Sequence, residues 1–154
     1  MSTFRTIELS DSPYESQGLR FLTIKTPSLK GRGDICVFVP PLKNLEDVPI
    51  ITLLHGVDGS AWVWAHKAGV HFTAMKMINQ RLIKPVVIAM PSDGLWGDGS
   101  AYLPHNSLNF EKWIAKDVID AVIENIMCTS SKSDLFISGL SMGGFGALRI
   151  GAKY

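Results

Sequence analysis

The sequence lacks an excess of either charge: 15 Lys and Arg stand against 14 Asp and Glu, a formal net charge of +1. A balance this even leaves no electrostatic footprint for nucleic acid, and no basic or acidic tail is present. Cysteine is scarce. Cys36 and Cys128 lie in unrelated segments without metal-ligand or redox spacing. Cys36 falls among apolar strand-like residues and Cys128 at an expected helix end, so both read as buried or incidental thiols. No apolar run approaches the roughly 20 residues of a membrane-spanning helix, and residues 1–10 hold no continuous apolar segment of leader length. The expectation is a cytoplasmic protein without nucleic-acid or membrane partners, metal or cofactor. Repeats and low-complexity tracts are absent too. One further absence is positional: residues 142–154 contain no Asp, Glu or His.

What is present is a core. With 46% hydrophobic residues in 154, the chain can bury one compact domain. Residues 4–9, 19–25 and 34–39 read as strands separated by turn signals at Asp11-Ser12-Pro13 and Pro27–Gly33, and are stopped by Pro40-Pro41. They form an antiparallel meander at one edge of a sheet, occupying residues 1–47. From residue 48 the pattern changes. Ile50, Ile51, Leu53 and Leu54 are apolar on successive positions, as in a strand covered on both faces. A helix over about 61–82, interrupted near Gly69, separates this run from the buried-strand run Val86–Met90. Phe110, Trp113, Ile114, Val118, Ile119, Val122, Ile123 and Ile126 recur at helical spacing behind Asn109, a fitting N-cap. That stripe is core rather than a cofactor box. Strand–helix–strand alternation predicts an α/β fold: a mostly parallel sheet with an antiparallel N-terminal edge and helices on both faces.

The chemistry gathers around Ser141. Leu135, Phe136 and Ile137 lead into Gly139-Leu140-Ser141-Met142-Gly143, with a helix-like stretch over 147–152 beyond. This is G-x-S-x-G between a strand and a helix, the setting of a nucleophile elbow. A serine hydroxyl attacks well only when a tight turn exposes it to a base. Gly139 and Gly143 stand where a Cβ would crowd strand against helix. Met142 can then turn its N–H toward a developing oxyanion. A second motif, Leu53-Leu54-His55-Gly56-Val57-Asp58-Gly59-Ser60, ends a buried strand in a turn-rich loop that can donate another N–H. The long loop 92–107 follows a parallel strand's C-terminal end, where open α/β sheets bind ligands. Its Asp93, Trp96, Asp98, Tyr102 and His105 are either substrate contacts or anchors of an ordered surface loop.

On these three motifs the chain resembles the esterase D-like group of α/β-hydrolases, which includes small carboxylesterases, feruloyl esterases, S-formylglutathione hydrolases and mycolyl transferases. The resemblance runs from about Pro49 to Tyr154. It implies that Ser141 is the nucleophile of a carboxylic-ester hydrolase acting on small molecules through an acyl-enzyme. The N–H groups of Val57 and Met142 would be the oxyanion donors, and Gly56 and His55 would belong to the oxyanion loop. His55, Asp93, Trp96, Tyr102 and His105 would line the substrate cleft. The departure lies downstream. In this superfamily the triad runs Ser, then Asp or Glu, then His, and neither partner follows Ser141. All four histidines precede it, and only His105 lies on a candidate active-site loop. The chain is therefore expected to be the N-terminal part of an α/β-hydrolase domain, with the C-terminal strands missing. The elbow strand would become an exposed edge open to self-association or to completion by another chain. Acyl transfer to an alcohol, or a non-catalytic module, are the alternatives.

Overall fold

The computed structural model describes residues 2–4 and 6–154. Six strands form one sheet: β1 (Ile7–Leu9), β2 (Leu19–Thr26), β3 (Gly31–Phe38), β4 (Ile50–Leu54), β5 (Val87–Pro91) and, after a small hairpin, β8 (Leu135–Gly139). Their order is β1-β2-β3-β5-β4-β8. The first three strands are an antiparallel meander joined antiparallel to β5, and β4 pairs parallel with both β5 and β8. The mixed sheet expected from the sequence is the one observed. The first strand is shorter than expected. It begins at Ile7, while Phe4 is buried outside it and Arg5 lies outside the described residues. The third strand begins earlier, at Gly31. Pro27 O accepts from Lys30 N at 3.2 Å, closing the reversal within four residues, so β2 and β3 pair along eight residues.

Helices cover both faces. α1 (Val63–His66) and α2 (Val70–Asn79) replace the expected helix 61–82, and the break falls at Gly69, which adopts φ 64. They bury Ala61, Ala65, Ala74 and Ile78 against Phe38, Ile88 and Met90. On the other face lies a helical stretch of α3 (Phe110–Lys112), a π-turn (Trp113–Val118) and α4 (Ile119–Asn125). It packs with α5 (Met142–Lys153) onto Ile35, Val37, Ile50, Leu54 and Val87. Asn109 caps α3 by accepting from Lys112 N at 2.8 Å. The π-turn is not legible in the apolar spacing. It contains the buried Asp117, whose carboxylate accepts from the Thr26 hydroxyl, so this buried charge has a partner.

Glu111, 1% exposed, ties the two helical units of this face together. It accepts from Arg149 Nε at 2.8 Å, from Lys153 Nζ, and from the Tyr154 hydroxyl at 3.2 Å. Lys153, opposed by burial and assisted by Arg149, holds the Glu111 carboxyl below its ordinary 4.5. A depressed carboxylate contributes stability in full above that ordinary value and loses it as pH falls through the folded one. Glu111→Gln should therefore cost about 1–3 kcal/mol at pH 7. Urea midpoints measured from pH 7 to pH 3 should show the gap to the parent chain closing below pH 4.5. A gap independent of pH would show that the carboxylate's charge plays no part.

β8 pairs only with β4 among the described residues, and its outer edge is open. Leu135 and Phe136 are 55% and 56% exposed, and Leu140, Phe145 and Leu148 beyond them are also exposed. An open apolar strand edge is what the sequence reading expected, and it is a template for association. No helix among the described residues is long and apolar enough to cross a membrane. Burial raises the Cys36 thiol to about 12 and also raises Cys128, consistent with unreactive thiols.

Candidate active site

Ser141 follows β8 and immediately precedes α5, with φ 55 and ψ −120. A non-glycine residue here costs on the order of 1–3 kcal/mol and persists only where its surroundings impose it. The surroundings do. Leu140 N donates to Leu54 O at 3.2 Å, Gly143 N to Leu140 O at 2.9 Å and Phe145 N to Ser141 O at 3.1 Å. A Cβ on Gly139 would overlap the Gly143 carbonyl, and one on Gly143 would overlap the carbonyl of Leu54 in the neighbouring strand. Both glycines are therefore required by close backbone approach. The helix starts at Met142, five residues before its expected position, because this packing overrides the poor helix propensity of Gly143, Gly144 and Gly146. Ser141 itself is exposed.

The loop after β4 meets this turn. A Cβ on Gly56 would lie 3.4 Å from Ser141 Cβ and 4.0 Å from its Oγ. Next along, Val57 approaches Met142 around Gly99: a Cβ there would strike the Met142 thioether and lie 3.7 Å from Val57 Cγ2. Neither Val57 N–H nor Met142 N–H donates a hydrogen bond to any of the described residues. Met142 opens α5 directly after the exposed serine, and a helix N-terminus favours negative charge.

The expected cleft residues divide once their contacts are seen. His55 is 2% exposed and both its nitrogens are occupied. Nε2 accepts from Asp93 N at 3.0 Å, which places the ring proton on Nδ1, 2.7 Å from Gly56 O. The Asp93 carboxylate, 3.9 Å from the ring, accepts from Leu95 N and Ser100 N. Tyr102 is fully buried, donating its hydroxyl to His55 O at 3.0 Å, and burial, with Asp93 nearby, pushes its phenol well above its ordinary value. His55, Asp93 and Tyr102 thus brace the two loops from within, and of the three only His55 contributes to the lining of the groove beside α1. Trp96 remains 43% exposed.

His105 lies in the hairpin of β6 (Pro104–His105) and β7 (Leu108–Asn109). Its Nε2 contacts Ser100 O at 3.2 Å and its Nδ1 contacts Asn106 Nδ2 at 3.2 Å. With its ring 4.7 Å from that of Phe110, it is engaged as a loop anchor rather than as a base. Ser141 Oγ has no hydrogen-bond partner among the described residues, and no group of three His, Cys, Asp or Glu among them could hold a metal. The sequence reading missed Ser100, fully buried and bonded to Asp93 O at 2.7 Å. It also missed a groove of about 500 Å³ between the His55–Gly59 loop, α1 and Leu140. Nothing marked Ser100 in a turn-rich loop. The clustering of Trp62, Trp64 and Lys67 was a signal that a plain helix assignment concealed.

Residues 26–154 match the profile of the family described as "Putative esterase". The chain belongs to this esterase family. An acetyl esterase of Caldicellulosiruptor saccharolyticus is 28% identical over 138 residues, a match that covers 88% of this chain and 45% of that protein. Two solved structures superpose with a TM-score of 0.71. A ferulic acid esterase, at 19% identity, covers 97% of this chain and 54% of its own. An S-formylglutathione hydrolase from Agrobacterium tumefaciens, at 18%, covers 99% of this chain and 57% of its own. The esterase-family chain thus shares the fold of these two solved structures, and it spans about half the length of the relatives it matches.

Proposed function

We propose that this chain carries the nucleophile and oxyanion donors of a serine esterase acting on small carboxylic esters in the cytoplasm. Its residues 1–154 form one part of the hydrolase domain. The supporting observation is the forced backbone of Ser141 at the start of α5, where the loop carrying Gly56 and Val57 meets it. In this reading Ser141 Oγ attacks the ester carbonyl carbon and its proton passes to a base. The carbonyl oxygen becomes negative against the N–H groups of Val57 and Met142, and the carbon–oxygen bond to the leaving alcohol then breaks. Water attacks the acyl-enzyme, releasing the acid and restoring the hydroxyl. The base is an imidazole from outside the described residues, brought in by polypeptide that pairs with the open β8 edge. The unbonded Ser141 hydroxyl together with that edge supports a chain whose activity depends on completion.

Because none of the described histidines is bonded to Ser141, free imidazole should substitute for a base. A fluorophosphonate is expected to label Ser141 slowly in buffer and progressively faster as imidazole is added, with the adduct located by peptide mass. Ser141→Ala should abolish labelling. No adduct on Ser141 at any imidazole concentration, or equal labelling of another serine, would overturn the assignment.

A further inference from the structure

The groove beside Ser141 has a chemistry of its own. Its lining includes Gly56, Val57 and Leu140 from the two loops at the elbow, and Trp62, Trp64 and Lys67 from α1 and its flanks. Folding leaves Val57, Trp62 and Leu140 at 52%, 48% and 64% exposed, a cluster of large apolar groups around one hollow. Lys67 is exposed and enters none of the ion pairs formed by described residues. The indole N–H of Trp64 is buried with no acceptor among them. The lone acidic group of the lining is Asp58 on the loop rim, whose N–H donates to Asp98 O at 3.4 Å. It disfavours an anion at that rim, while Lys67 at the end of α1 favours one at its own.

From these features we infer that the groove binds the body of an ester substrate that is flat, apolar and anionic at its far end, such as the monoester of an aromatic dicarboxylic acid. The ring lies between Trp62 and the Val57–Leu140 side, and the free carboxylate reaches Lys67. Charge at the far end fixes the direction of binding and presents the ester carbonyl at Gly56 and Ser141. Neutral esters of the same size lose that anchor. This inference rests on the esterase reading for its catalytic meaning, but its binding test does not require turnover.

Monomethyl terephthalate, a monoanionic aromatic ester, and neutral methyl benzoate serve as probes, with binding read from the four tryptophan indole N–H resonances. The Trp113 indole, bonded to Ser92 O at 2.8 Å within the core, is the internal control. The monoanion should shift the Trp62 and Trp64 signals and bind more tightly than methyl benzoate. Lys67→Gln should weaken the monoanion by about two- to five-fold, as for an exposed ion pair, and leave methyl benzoate unchanged. Added salt should reproduce that loss. Equal affinity for the two probes, insensitivity to Lys67→Gln, or shifts confined to Trp96 or Trp113 would overturn the inference. Fluorophosphonate labelling of Ser141 without groove binding removes the groove alone. Groove binding without labelling removes the hydrolase reading and its catalytic meaning.

Discussion

Gly143→Ala is expected to destabilise the chain by about 3 kcal/mol or more, whereas Gly144→Ala, one residue on, should lie within about 1 kcal/mol of the parent. Helix propensity favours both substitutions, since alanine is better than glycine by about 1 kcal/mol in a helix interior. What separates them is space. The added methyl at 143 would overlap the Leu54 carbonyl and crowd His55 O at 2.7 Å, and these are backbone atoms of β4 and its loop that cannot swing aside. The methyl at 144 meets Gly139 O at 3.4 Å, an ordinary to slightly tight contact. Urea unfolding of the three proteins measures the difference. Imidazole-assisted labelling of Ser141 should fall in Gly143→Ala alone, because α5 can no longer seat against β4. Equal stability of the two variants would mean that the elbow is not held by this approach.

The second large effect concerns turnover. The 154-residue chain should hydrolyse an activated acetate ester about 10⁶-fold more slowly than a serine hydrolase with its base in place. Acceleration from binding and oxyanion donors alone should not exceed about 10³–10⁴ over water. The reason lies in the histidines. His55 has both ring nitrogens committed to backbone partners, and His105 is held by Ser100 O and Asn106. His71 is buried against Gln17, with burial lowering its basicity. His66 stacks on Phe21, with ring centroids 6.2 Å apart. None is bonded to Ser141. Steady-state rates for the parent and Ser141→Ala check this directly. Turnover near that of ordinary esterases, lost in Ser141→Ala, would show that one of these rings moves onto the serine.

The elbow was legible in the sequence because its constraints are local and severe. Gly139 and Gly143 can be nothing else where strand and helix backbones touch, and the pattern carries the geometry with it. The break at Gly69 and the Asn109 cap were legible for the same reason: one residue sets one backbone event. The cleft residues were not. Asp93, Tyr102 and His55 are residue types as common in active sites as in buried braces, and only their partners distinguish the two. The π-turn at Trp113–Val118 escaped because an apolar stripe tolerates one extra residue per turn without losing its face.

By itself, the sequence determined the α/β alternation, the antiparallel first strands, the turn at Ser141 and the loop that meets it, since each depends on residues close in the chain. Only the tertiary structure decided that His55, Asp93 and Tyr102 pack as buried braces between two loops, and that Trp62, Trp64 and Lys67 share the lining of a groove with Gly56 and Leu140. Those facts depend on segments from 55 to 140 meeting in space.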